Sequence, residues 1–396
     1  MAKRRLEDAI VASRALNVGI KLIDNFKSAQ SLFSTDVHLN GGVFSLRFSD
    51  DLDLVGIGYG DGSVRLYSVI SGKQVLEFLP SSLPKIEHLR RLSTDLPVMS
   101  LKWHPQQSDL LYSACTDGSI RLHNRQTNEL SVIAYEYDNE LTSMDFSVDG
   151  KYFATTGKDA NIRIYNTEHN IVSHTYNNTK VDTQVEQIRR SSGTGDELCT
   201  TGHYHRAYAV KFHPDHTNIL MTGGWDNIVK IWDIRQKECI NEAIVGPHIC
   251  GEVDLKINVR AVDGSRVNIT DKLDINPFFY PGIDARGNDI LTASWARSNS
   301  LKIYDFRTMD LLQTLKVQGA DEKGEYMYSA QLCDNNTVIA VGSGTNSCHV
   351  INTVNNSELV RLPLTKPIYA LDSMLGGRVF AFGGLDKFVI AHMKDN

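Results

Sequence analysis

GWDNIVKIWD (224–233) has three near copies upstream: YGDGSVRLYS (59–68), CTDGSIRLHN (115–124) and GKDANIRIYN (157–166). In each, an Asp stands six positions before a ring-bearing side chain: Asp61 and Tyr67, Asp117 and His123, Asp159 and Tyr165, Asp226 and Trp232. Small or polar residues follow the Asp, and apolar residues then alternate up to the ring. A tight turn leading into a strand produces this pattern. The carboxylate accepts backbone N–H groups of the turn, and the alternation buries one strand face. A supersecondary unit that recurs at roughly 40 residues defines a repeat architecture.

Working outward, each unit opens with a densely apolar strand: VFSLRF (43–48), VMSLKW (98–103), LTSMDF (141–146) and AYAVKF (207–212). A second strand leads into the Asp turn: LVGIGY (54–59), LLYSAC (110–115), YFATTG (152–157) and ILMTGG (219–224). A fourth, less apolar strand follows, as in KQVLEFL (73–79) and ECINEAI (238–244). Three degenerate copies complete the set: 290–307 with a turn two residues longer, 338–352, and 368–392 with Asp386 in the turn slot. Long gaps mark insertions at about 80–97, 180–202 and 250–282.

Seven units of four strands predict an all-β, seven-bladed β-propeller, since a closed ring leaves only short sheet edges. The seventh unit ends after its third strand, so its fourth must come from elsewhere. KSAQSLFSTDVHL (27–39) is strand-like and precedes the first unit, so it is expected to close the ring. The domain reading is an N-terminal arm or short helix over 1–26 and the propeller over 27–396. Val11, Ala15, Val18 and Leu22 stand at helical spacing.

Composition narrows the function. The chain of 396 residues is 41% apolar and 22% charged, with net charge −6. That balance gives no bulk electrostatic case for nucleic acid or a membrane surface. No run of about 18 apolar residues occurs, and charges interrupt the N-terminal stretch where a signal peptide would be apolar. Six scattered cysteines without a CxxC pair read as reduced thiols of an intracellular protein.

GHYHRAYAVKFHPDHTNILMTGGWDNIVKIWD (202–233) resembles the WD-repeat β-propeller family: Gly-His, Phe-x-Pro and Trp-Asp stand in register. The likeness extends over about residues 40–396. The Trp-Asp ending becomes Tyr-Ser, His-Asn, Tyr-Asn and Tyr-Asp elsewhere, and the first three units lack the Gly-His. The resemblance implies that His203, Thr222, Asp226 and Trp232 form a structural hydrogen-bond chain rather than a catalytic set. A buried Asp needs such partners. Asp61, Asp117, Asp159 and Asp386 have the same turn role, and Ser113 and Thr155 occupy the Thr222 slot. There is no GxxxxGK[ST] loop and no HExxH, and Gly58-Tyr59-Gly60 reads as turn glycines at a strand end. No catalytic, metal or cofactor residue is assigned, and no small-molecule substrate is expected.

Binding is then expected on the rim formed by the Asp turns. The residue before the turn Asp faces it: Gly60, Thr116, Lys158, Trp225 and Leu385. Trp225, Trp295 in the neighbouring unit and Arg297 have the composition of an interface hot spot. The alternative is that each indole packs on its own blade. A second candidate is Trp232-Asp233-Ile234-Arg235, loosely repeated as Tyr304-Asp305-Phe306-Arg307. It is similar to the box by which some WD-repeat proteins dock on the adaptor of cullin-type ubiquitin ligases, although the same tetrapeptide is common in the family without that role.

The function expected is a non-enzymatic, cytoplasmic protein-interaction scaffold. GHYHRAYAVKFHP and GPHICG (246–251) resemble a WD-repeat group of ciliated eukaryotes, and Lys3-Arg4-Arg5 suits the acidic surface of a microtubule. Tubulin or axonemal proteins are therefore the expected partners. The alternative is a substrate receptor of a cullin-type ligase acting through Arg235 and Arg307.

Overall fold

The apolar alternation sets the strand boundaries. The computed structural model describes residues 26–82, 96–177, 202–213, 216–244, 254–255, 289–305, 308, 310–320, 323–334 and 336–394. VFSLRF forms the strand Val43–Phe48, LTSMDF forms Leu141–Phe146 and AYAVKF forms Ala207–Phe212. Among the described residues the strands make seven four-stranded antiparallel sheets. The chain is an all-β, seven-bladed propeller. In blades 1 to 6 the strands run from inner to outer in chain order. The fifth turn is longer as expected: Thr292 pairs with Lys302, where its counterpart Thr222 pairs with Lys230.

Blade 7 closes the ring. Its inner three strands are Ile368–Met374, Val379–Gly384 and Lys387–Lys394, and its outer strand is Ser28–Asp36 from the other end of the chain. The register runs from Ser28 opposite Lys394 to Asp36 opposite Lys387. Phe26 is already core: it is buried, and the Arg378 guanidinium lies 5.9 Å from its ring. Phe26, one residue before the expected boundary, thus belongs to the folded body. The N-terminal arm or helix (with Lys3, Arg4 and Arg5) and nearly all of the three insertions lie outside the described residues.

The core lies between blades. Phe48 and Tyr59 of blade 1 share a cluster with Phe388 of blade 7, and Tyr176 of blade 3 packs with Trp232 of blade 4. Close approach of the inner strands corrects one sequence reading. Gly58 lies inside the strand Leu54–Tyr59, and a Cβ there would stand 2.4 Å from Ser45 Oγ and 2.7 Å from a Val98 methyl. A Cβ on Gly60 would stand 2.5 Å from the Gly41 carbonyl. Gly58 is a packing glycine, whereas Gly60 stands in the turn at the strand end, as expected, and also abuts neighbouring backbone. Gly62 of the same turn is at φ +79°.

Candidate functional site

In blade 4 the loop before the inner strand supplies His203, the second strand Thr222, the following turn Asp226 and the third strand Trp232. His203 Nδ1 lies 2.7 Å from Asp226 Oδ2, and Nε2 lies 2.6 Å from Thr222 Oγ1. Trp232 Nε1 donates to Thr222 Oγ1 at 2.8 Å. Asp226 also accepts from the backbone N–H of Tyr204 and Ile228. All four side chains are closed off from solvent. A Thr–His–Asp set could attack only a substrate that reached the hydroxyl, and this one is sealed. The geometry ties a loop to a turn.

The other turn aspartates hold their turns in related ways. Asp61 accepts from Ser63 N at 2.9 Å and Asp117 from Ser119 N at 2.8 Å. Asp159 accepts from Asn161 N at 3.0 Å, and Asp386 from Lys387 N at 2.9 Å. Arg121 and Arg163, four residues on, reach back to Asp117 and Asp159.

Where the His–Trp pair is missing, other groups replace it. In blade 2, Ser113 Oγ meets His123 Nε2 at 2.9 Å. Burial, aided by the Arg121 charge, pushes His123 down to about 3. The folded state thus holds a neutral ring that the unfolded chain protonates near 6.5. This stabilisation is complete above pH 6.5 and is lost as pH falls toward 3, by up to about 1.4 kcal/mol per pH unit. Denaturant unfolding of His123→Phe should therefore weaken less than wild type between pH 6.5 and 4.5. Equal acid sensitivity would exclude His123 as the cause.

Blade 3 uses a residue that sequence reasoning missed. Glu136, buried in the loop before the inner strand, takes four donors. Thr155 Oγ1 at 2.5 Å and Tyr165 OH at 2.9 Å reach Oε1. Arg163 Nη1 at 2.6 Å and Asn139 Nδ2 at 2.7 Å reach Oε2. A second unforeseen feature is a charged belt at the fifth position of the inner strands. Asp372 accepts from Arg47 at 2.6 Å, from Phe48 N at 2.8 Å and from Gln331 Nε2 at 3.1 Å, linking blades 6, 7 and 1. Asp145 pairs with Lys102 at 3.2 Å and Lys211 at 3.9 Å, linking blades 2, 3 and 4.

The rim residues are placed as follows. The Trp225 indole lies 5.0 Å from the Tyr208 ring and 5.9 Å from His205. Trp295 is 42% exposed, and its ring lies 5.3 Å from Tyr326, in the loop before the inner strand of blade 6. Trp225 thus packs on its own blade and Trp295 across a blade boundary. Arg297 is exposed, and its carbonyl accepts from Glu325 N at 3.0 Å. Lys158 Nζ lies 2.5 Å from Glu140 Oε1, and Arg206 Nη1 lies 3.3 Å from Glu140 Oε2. The Lys158 bond holds the Glu140 carboxyl below its ordinary range.

Elsewhere, Arg235 is 66% exposed, yet its guanidinium is bound to Asp233 at 2.5 Å. Arg307 lies outside the described residues. The central channel holds a cavity of about 80 Å³ with uncharged walls that include Phe44, Met99, Thr142, Tyr208 and Tyr369. Phe44 stacks on Tyr369 at 5.3 Å, and Tyr328 meets Tyr369 edge-on at 5.2 Å. Among the described residues no cluster of His, Cys, Asp and Glu forms a metal site.

Comparison with known proteins agrees with this architecture. The family profile described as WD domain, G-beta repeat matches residues 29–68 and 195–233. The profile described as Anaphase-promoting complex subunit 4 WD40 domain matches 101–189. A guanine nucleotide-binding protein subunit beta-like protein of Encephalitozoon cuniculi is 29% identical over 169 residues, 36% of this chain and 51% of that protein. The nuclear distribution protein PAC1 of Candida tropicalis is 24% identical over 191 residues, 47% of this chain and 33% of that protein. A coronin-like protein of Saccharomyces cerevisiae is 34% identical over 102 residues, 25% of this chain and 15% of that protein. The matched region thus spans about half of the first relative and a third or less of the other two.

Proposed function

We propose that this chain, which belongs to the WD-repeat family of β-propellers, is a non-enzymatic scaffold of a multi-protein cytoskeletal assembly, microtubular or ciliary, in the cytoplasm. WD-repeat propellers act as protein-interaction scaffolds. The observation that carries the reading is the rim. Half-buried and exposed aromatic rings, an exposed Arg297 and ion pairs at the surface surround a neutral channel mouth, while the His–Thr–Asp set is sealed inside a blade. That is the composition of a contact surface with aromatic anchors. The likeness to a nuclear distribution protein and a coronin-like protein favours a cytoskeletal assembly.

Purification of the tagged native protein with mass spectrometry of its companions tests this. Tubulin and axonemal proteins are expected, and Trp225→Ala/Trp295→Ala should deplete them about tenfold or more, the loss typical of hot-spot aromatics. Partners unaffected by the double substitution would retire the rim. Recovery of a cullin and its adaptor, lost in Arg235→Ala, would instead establish the ligase receptor. The bonds from Arg235 to Asp233 count against that reading, since they hold the guanidinium on its own turn.

A further inference from the structure

We infer that the rim between blades 3 and 4 binds a carboxylate side chain of an acidic linear peptide, and that Glu140 occupies this place in the free protein. This deepens the scaffold reading and rests on it. Lys158 comes from the Asp turn of blade 3 and Arg206 from the segment before the inner strand of blade 4. Both converge on one carboxylate, Glu140, at 2.5 and 3.3 Å. Two cations share this one anion, beside the acidic residues Glu136, Asp138 and Asp159 of the same blade. That Glu140 reaches both cations demonstrates that a carboxylate fits between them.

Glu140 is also displaceable. Its side chain is 39% exposed, those of Lys158 and Arg206 are 46% and 31%, and pairs this exposed are weak. The described contact of the Arg206 guanidinium uses one nitrogen, Nη1. A guanidinium offers five N–H donors in a planar fork, and a carboxylate arriving end-on can take two of them.

What lies beside this spot defines the rest of the peptide. Trp225 N donates to Arg206 O at 3.0 Å, so the indole and the guanidinium are carried by bonded segments. The indole lies on Tyr208, and Tyr208 lines the channel mouth beside Thr142, whose hydroxyl donates to Ala207 O at 2.5 Å. The spot therefore opens onto an aromatic surface and then onto uncharged walls. The matching ligand places an Asp or Glu next to an aromatic or aliphatic residue. An acid on such a peptide can exchange for Glu140 on both cations, which a basic segment cannot do. Nucleic acid is disfavoured, because it needs many phosphate contacts and the overall charge repels it.

The test is selection of random twelve-residue peptides on the intact protein, followed by affinity measurement on a synthetic selected peptide. Selected peptides should carry Asp or Glu within about two positions of an apolar residue. Glu140→Gln, which releases both cations, should bind the peptide about fivefold more tightly, and Arg206→Glu about tenfold more weakly. Exchanging the peptide acid for Lys should restore binding to Arg206→Glu. Enrichment of Lys or Arg, no charge preference, an empty selection, tighter binding of a single-stranded RNA 20-mer, or unchanged or weakened binding to Glu140→Gln would each overturn the inference. Peptides without an acid that still lose binding in Trp225→Ala would leave the rim reading standing. Peptides indifferent to Trp225→Ala would remove that reading as well.

Discussion

Asp372→Ala is expected to lower the unfolding free energy by about 3–5 kcal/mol, the cost of breaking a buried ion pair from one side. Asp372 is fully buried, and its carboxylate joins three blades, with Arg47 and Phe48 N on one flank and Gln331 on the other. Alanine leaves the Arg47 charge buried without its carboxylate and removes the acceptor of a backbone N–H. Asp372→Asn keeps an acceptor but loses the charge, and should cost less. The paired change Arg47→Met/Asp372→Leu should recover most of the loss, because neither residue then carries a charge into the interior. Urea unfolding decides the matter: a loss below about 1 kcal/mol for alanine would mean that the pair is merely tolerated. The site lies where the first blade meets the last, so amide exchange in Val43–Phe48 and Ile368–Met374 should rise together.

Glu136→Ala should cost a comparable amount, about 3 kcal/mol or more, since it strands four hydrogen-bonding groups, one of them an arginine. The informative substitution is Glu136→Gln. Thr155, Tyr165, Arg163 and Asn139 all point donors at the carboxylate. An ionised carboxylate accepts at every lone pair, whereas an amide turns one side into a donor. Glutamine can turn its NH2 toward the Thr155 and Tyr165 hydroxyls, which can accept, and its carbonyl toward Arg163 and Asn139, but it leaves the Arg163 charge without a carboxylate, and should lose about 1–3 kcal/mol despite its matching shape. Equal stability of the Gln and wild-type proteins would show that volume, not charge, is what blade 3 requires there.

The fold was legible because its signals are local. An Asp two residues before the N–H it accepts, and alternation over five or six residues, are written within single repeats. The closing strand was legible by counting, since one unit lacked its outer strand and one strand-like segment had no unit. Glu136 was not legible: its partners stand up to 29 residues away in sequence. The one available signal was negative, the missing Gly-His of that unit beside an acid-rich YEYDNE loop. The belt left a clearer trace, a polar fifth residue in otherwise apolar strands: Arg47, Lys102, Asp145, Lys211, Gln331 and Asp372. Its pairing across blades follows only once the ring is closed. On the rim, Trp225 and Lys158 stood out by residue type. Their link through Glu140 and Arg206 depends on two loops meeting, which no spacing encodes. Gly58 was misread because glycine marks both a turn and a close approach.

Pairing of Ser28–Asp36 with Lys387–Lys394 sets an order of events during synthesis. The outer strand leaves the ribosome before its partner, which follows some 350 residues later. At about 5–20 residues per second this is a wait of roughly 20–70 s. Throughout that interval SAQSLFSTD is an unpaired strand with only Leu32 and Phe33 as large apolar side chains. So polar a strand is a poor template for intermolecular pairing. Its composition lets the nascent chain keep its clasp open without aggregating until the last blade arrives.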